Sequence, residues 1–156
     1  MGNVPVIDGV CPPNWSMFGN KCYIQPTGPV SISVCQSSCA ALYPPARLLC
    51  IGDLSENNFI RAATTGYVWL GLNDLAQEGT FVWRDSCTAT YRKWYPGEPN
   101  GGLGENVVAM AAVTGAYSGT WVDIGSSVNA ACMCEIYALG RPTSQPSSQP
   151  SRQPSS

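Results

Sequence analysis

The sequence predicts an α+β fold, a single disulfide-stapled domain with two helices and short antiparallel sheets. Three observations carry that expectation. Two helical patterns lie before residue 66 and are followed only by short strand-like runs between Gly-rich turns. The chain has 156 residues, enough for one domain with a modest core. It also has eight Cys and only 12% charged residues, against a usual ~25%, so the core needs reinforcement that disulfides can supply.

The first helix is read from residues 31–42, where Val34, Cys35, Ser38, Cys39 and Leu42 share one helical stripe until Pro44 and Pro45 stop it. Both cysteines then face the core. The second begins at Asp53, whose carboxylate can cap the helix while Glu56 reaches back as in a capping box. It is expected to run from Leu54 to about Thr64, with Gly66 ending it. Strands are expected at residues 67–72, 80–83, 106–113, 119–122 and 131–137. Trp15, Trp69, Trp83 and Trp121 are expected in the core, as is Trp94, while Tyr95 stands where it could stack on a ligand.

Composition excludes several function classes. The chain has no His, which removes Ser-His-Asp and Cys-His nucleophiles, His general bases and His-ligated zinc. Cys35 and Cys39, and Cys132 and Cys134, are close pairs, but no repeated C-x2-C knuckle accompanies them, so disulfides and an extracellular location are favoured over zinc. No apolar run approaches ~20 residues, so no direct membrane insertion is expected. The opening Met1-Gly2-Asn3-Val4-Pro5 lacks the charged and apolar regions of a signal peptide, so any export signal has been removed or belongs to a longer parent. Residues 1–140 hold six Lys and Arg against ten Asp and Glu. That acidic balance argues against nucleic acid and suits cation binding.

The expected organisation is an extension at 1–10, a folded domain at 11–138, and a Pro/Ser/Gln-rich linker or stalk at 139–156, the composition changing abruptly from Arg141. Prolines at 142, 146, 150 and 154 give a four-residue repeat too polar to bury. It reads as a disordered linker or as a polyproline-II-like stalk, with Ser and Thr suited to O-glycosylation. Asn14-Trp15-Ser16 is an N-glycosylation sequon.

Several motifs then occur in a telling order. Cys11-Pro12-Pro13-Asn14-Trp15 precedes Cys22-Tyr23. Trp69-Leu70-Gly71-Leu72-Asn73-Asp74 and Thr80-Phe81-Val82-Trp83-Arg84-Asp85 follow. Next come Trp94-Tyr95-Pro96-Gly97-Glu98-Pro99-Asn100, Glu105-Asn106, Trp121-Val122-Asp123 and Cys134-Glu135. Over residues 11–137 this resembles the C-type lectin-like domain in its long form, which implies that family's fold with a long binding loop. The resemblance implies a calcium site made by Glu98, Asn100, Glu105 and Asp123. Two vicinal sugar hydroxyls would complete it while bonding to Glu98, Asn100 and Glu105. Independently, a cis Pro99 would set Glu98 and Asn100 to one side, and an all-oxygen set suits a hard cation such as Ca2+. The Glu-Pro-Asn order implies mannose, glucose, N-acetylglucosamine or fucose.

The chain departs from the family pattern twice. Val122 stands where sugar-binding members usually carry Asn, which removes one calcium ligand and one sugar donor. Val107 and Ser126 stand where a local disulfide is usual. The resemblance carries over Cys11–Cys22 and Cys39–Cys134. The remaining cysteines pair either as Cys35–Cys132 with Cys50–Cys87, the preferred arrangement, or as Cys87–Cys132 with Cys35–Cys50. The expected function is extracellular, calcium-dependent, non-catalytic binding of mannose-type glycans. The alternative is a structural module of a fibre, appendage or wall, packing against copies of itself or neighbouring glycosylated stalks. A glycosidase use of Glu98 and Glu105 is disfavoured, since carboxylates sharing a cation stay ionised.

Overall fold

The computed structural model describes residues 9–139, so most of the 1–10 extension and the repeat at 141–156 lie outside the described residues. The described residues divide into two compact units, one of residues 9–22 with 137–139 and one of residues 23–136. In the first, β1 (Ser16–Phe18) neighbours the start of β2 (Lys21–Val30). The Cys11–Cys22 disulfide and an antiparallel bridge between Val10 and Leu139 close this unit. The Lys21 ammonium lies 5.8 Å from the centre of the Tyr137 ring, a cation–π distance.

The larger unit holds α1 (Ile32–Ala40), β3 (Arg47–Leu48), α2 (Leu54–Ala63), β4 (Val68–Asn73), β5 (Val82–Trp83), β6 (Val107–Met110), β7 (Trp121–Ile124) and β8 (Ala130–Tyr137). The strand order is β2-β8-β4-β6-β7, with β3 on β8 and β5 on β4. Ladders β3–β8, β4–β5, β4–β6 and β6–β7 are antiparallel, but β4 and β8 run parallel through Val68 and Ala131. The sheet is therefore mixed.

Ser31 caps α1, and the buried face is Ile32, Cys35 and Cys39. Val34, placed on that stripe by the sequence pattern, is 47% exposed. The disulfides Cys35–Cys132 and Cys39–Cys134 fix the helix to β8, and they turn the helix toward Ile32. Asp53 caps α2 through the Glu56 N–H at 2.8 Å. Glu56 answers one residue earlier than a capping box requires, accepting from the Gly52 N–H at 2.9 Å and the Tyr23 hydroxyl at 2.6 Å. The helix stops before Gly66: Thr64 turns extended, and Arg61 donates to the carbonyls of Thr64, Gly66 and Ala111. The strand expected at 80–83 is only Val82–Trp83, and that at 106–113 ends at Met110.

The core gathers Ile32, Cys35, Cys39, Leu48, Trp69, Val107, Ala109, Ala130, Cys132 and Cys134. Trp69, Trp83 and Trp121 are buried, whereas Trp15 and Trp94 are only half-buried. Cys50–Cys87 completes four disulfides and leaves no free cysteine. Where the family's local disulfide is missing, Val107 pairs instead with Ile124 in the β6–β7 ladder.

Candidate functional site

Strand polarity sets the site. The C-terminal end of β4, the N-terminal end of β6 and the C-terminal end of β7 meet, because Asn73 pairs with Val107 and Val107 with Ile124. Loops leaving this end carry Asp74, Glu78, Glu105 and Asn106, and β7 itself carries Asp123. The loop with Glu98 and Asn100 is tied on through backbone bonds. The Tyr95 N–H donates to the Trp121 carbonyl at 2.8 Å, and the Glu98 N–H donates back to the Tyr95 carbonyl at 2.8 Å. Trp121 anchors the arrangement from beneath: it is fully buried and its indole N–H donates to the buried Asn57 at 2.8 Å.

The Glu98–Pro99 peptide is cis. Asp123, 3% exposed, accepts from the Asn100 N–H at 3.0 Å and the Gly101 N–H at 3.1 Å. The Asn100 side-chain amide donates to Glu98 Oε2 at 2.9 Å. Glu105 lies against Gly101, where a Cβ would run into its side chain. Glu98, Asn100, Glu105 and Asp123 thus surround one loop. Val122 contributes no side-chain oxygen beside them.

Charge in this loop is in conflict. Burial, then a hydrogen bond to Asp123 and the charges of Asp123 and Glu105, push the Glu98 carboxyl up to about 7. Burial also acts on Asp123, but bonds from Glu98 and from the Asn100 and Gly101 amides outweigh it and hold that carboxyl below its ordinary range. Glu98 Oε1 is buried without a partner. A buried acceptor left unpaired beside two further carboxylates is what a hard cation would satisfy.

A second group was given no role by the sequence reading, although Asp74 and Asn106 stand in its motifs. Asp74, 2% exposed, accepts from the Gly79 N–H at 2.8 Å through Oδ2, while its Oδ1 is buried and unpartnered. Its backbone N–H donates to the Asn106 carbonyl at 3.2 Å, and Asn106 Oδ1 is likewise buried and unpartnered. Desolvation, followed by the charge of Asp74, raises the neighbouring Glu78 carboxyl. These oxygens adjoin the first group through the Glu105-Asn106 pair. Among the described residues, the only three His, Cys, Asp or Glu ligand atoms within 4.8 Å of one another are the sulfurs of Cys35, Cys39 and Cys132, all spent in disulfides. The carboxylates are spaced more widely.

Aromatic rings frame the loop. Trp121 meets Trp83 and Tyr91 edge-on at 5.7 Å and Trp94 at 6.3 Å. Trp94 is thereby spent on packing. Tyr95 instead pairs with Tyr117 at 5.3 Å.

A mixed sheet with two helices, the first bound to it by two disulfides, carrying its polar cluster on irregular loops at one sheet end, defines a lectin-type domain. The family model for the lectin C-type domain matches residues 29–136, and the chain belongs to that family. It is 38% identical over 116 residues to the mouse (Mus musculus) low affinity immunoglobulin epsilon Fc receptor, covering 73% of this chain and 33% of the receptor. It is 30% identical over 137 residues to lectin BRA-3 of Megabalanus rosa, covering 85% of this chain and 82% of that lectin. The chain spans about a third of the length of the mouse receptor and of human C-type lectin domain family 17 member A. Among solved structures, the cow CD23 carbohydrate-recognition domain, determined in the presence of GlcNAc2Man3, has a TM-score of 0.75 at 32% identity, covering 85% of this chain and 99% of that one. A calcium-independent type II antifreeze protein has a TM-score of 0.76 at 26% identity, covering 84% and 97%.

Proposed function

We propose that this domain binds carbohydrate without chemical turnover, outside the cell, through a calcium ion held by Glu98, Asn100, Glu105 and Asp123. Its sugars carry equatorial 3- and 4-hydroxyls: mannose, glucose, N-acetylglucosamine and, in another geometry, fucose. The observation that carries this is the buried Glu98 Oε1, which no N–H donor reaches, in a carboxyl crowded against Asp123 and Glu105. Asp74, Glu78 and Asn106 supply further oxygens beside it. The relatives that bind sugar, and the cow domain solved with an oligosaccharide, support the same reading. Four disulfides favour an oxidising compartment, and no helix among the described residues is long and apolar enough to cross a membrane. The Pro/Ser/Gln repeat would then display the domain as a stalk.

Losing the Asn oxygen at Val122 weakens the site by the worth of a hydrogen bond to a charged group, about 1.5–3 kcal/mol. The same substitution supports a second reading, an assembly module with an idle sugar site. Exchanging Glu98→Gln together with Asn100→Asp separates the two. Under the first reading preference moves toward galactose-type hydroxyl geometry; unchanged glycan binding in the double variant places the sugar elsewhere.

A further inference from the structure

We propose that Asn14 is a covalent modification site, the acceptor of an N-linked oligosaccharide. Asn14-Trp15-Ser16 is the one Asn-x-Ser/Thr sequence in the chain, and the binding function gives it no use. The modification needs nothing from the calcium site. It shares with the proposed function only the oxidising export route that four disulfides favour.

Backbone conformation places the acceptor. The Trp15 N–H donates to the Pro12 carbonyl at 3.2 Å, closing a turn whose central residues are Pro13 and Asn14. Asn14 has φ 74°, and Pro followed by a residue at positive φ is the pattern of a type II turn, which Gly and Asn suit. The turn accounts for an Asn at this place, and exposure makes that Asn an acceptor. Asn14 and Ser16 are both exposed, with Trp15 between them half-buried, so amide and hydroxyl stay open to solvent after the Cys11–Cys22 disulfide has closed around them. Asn57 shows the contrary case: it is fully buried, its amide spent on the Gly119 carbonyl and its carbonyl on the Trp121 indole. Ser16 also opens β1, a strand that pairs only with β2 among the described residues and leaves Met17 42% exposed. A bulky polar group at the start of such an edge protects it from pairing with another chain.

The donor class is a lipid diphosphate-linked oligosaccharide. Asn14 Nδ2 forms a bond to the sugar's C1 while the bond from C1 to the diphosphate oxygen breaks. The lipid diphosphate leaves with that electron pair, and the amide gives one proton to a base of the transferring enzyme.

The test expresses the full chain behind an export signal in eukaryotic secretory cells and compares intact masses before and after peptide-N-glycosidase, which removes the glycan and leaves Asp where the carrying Asn stood. The native protein is expected to lose the mass of one glycan and to show Asp at position 14. Ser16→Thr keeps the glycan. Asn14→Gln and Ser16→Ala lose it, and Ser16→Ala leaves the positive-φ turn residue untouched. A native mass that the glycosidase does not change, a glycan that survives Ser16→Ala, or one that disappears in Ser16→Thr overturns the site. None of these outcomes bears on calcium or mannose binding.

Discussion

Glu98 faces two opposed demands. In the metal-free loop its carboxyl is protonated up to about pH 7, because burial and the hydrogen bond with Asp123 favour the neutral form. Calcium needs the carboxylate. Metal binding therefore expels a proton, and affinity should fall about tenfold per pH unit below that value. Fold stability without metal has the opposite sign. A raised folded-state value means the loop gains from the proton at low pH and loses that gain as pH rises from the ordinary 4.5 through about 7. Calcium titrations at about pH 5.5 and about pH 8 check this, and equal affinities at the two would remove Glu98 as a ligand. At this scale the gathering of Glu98, Asn100, Glu105 and Asp123 about one loop was legible, because these residues stand in short motifs, while their part in holding an ion is the proposal. Asp74, Glu78 and Asn106 were not. The bond from Asp74 to Asn106 exists only once β4 and β6 have paired, and no local pattern announces it.

Elements with their own local signals were read most faithfully. Asp53 and Glu56 announce α2, and Asp53 does cap it. By contrast β2 contains Pro26, Gly28 and Pro29, residues that argue against a strand, and nothing short-range overrides them; pairing with β8 does. Ile32 was missed as a core residue because a helix's buried face depends on how its disulfides rotate it. The turn after β5 shows a local rule broken. Asp85 and Ser86 both adopt positive φ, 59° and 63°, and the Cys87 N–H closes the turn on the Arg84 carbonyl at 3.3 Å. Glycine is the residue suited to such a place. Ser86→Gly should raise stability by about 0.5–1 kcal/mol, read as a higher denaturant midpoint at unchanged slope. A lower midpoint would mean that the Ser86 side chain holds the turn.

Across the whole molecule the disulfides act unequally. Cys35–Cys132 and Cys39–Cys134 are parallel rungs between α1 and β8, closing 97- and 95-residue separations. Either alone restricts the unfolded chain by about 4.7 kcal/mol, but with one in place the second closes only a short loop, worth ~2.5 kcal/mol. Replacing one pair by Ser should therefore cost about 2.5 kcal/mol in this chain-entropy term, and replacing both about 7 kcal/mol. Denaturant unfolding of the two single-rung proteins and the rungless one checks this; strictly additive losses would show the rungs to be independent. Such redundancy steadies the sheet whose open end carries the polar loops, in place of the local disulfide that Val107 and Ser126 cannot form. The central claim is that those loops make a calcium-assisted sugar site, and calorimetric titration of the full chain with calcium, then with mannose, with and without chelator, tests it most directly. The account predicts saturable calcium binding and mannose heat that the chelator abolishes. Absence of calcium binding, or mannose heat untouched by chelator, would contradict it.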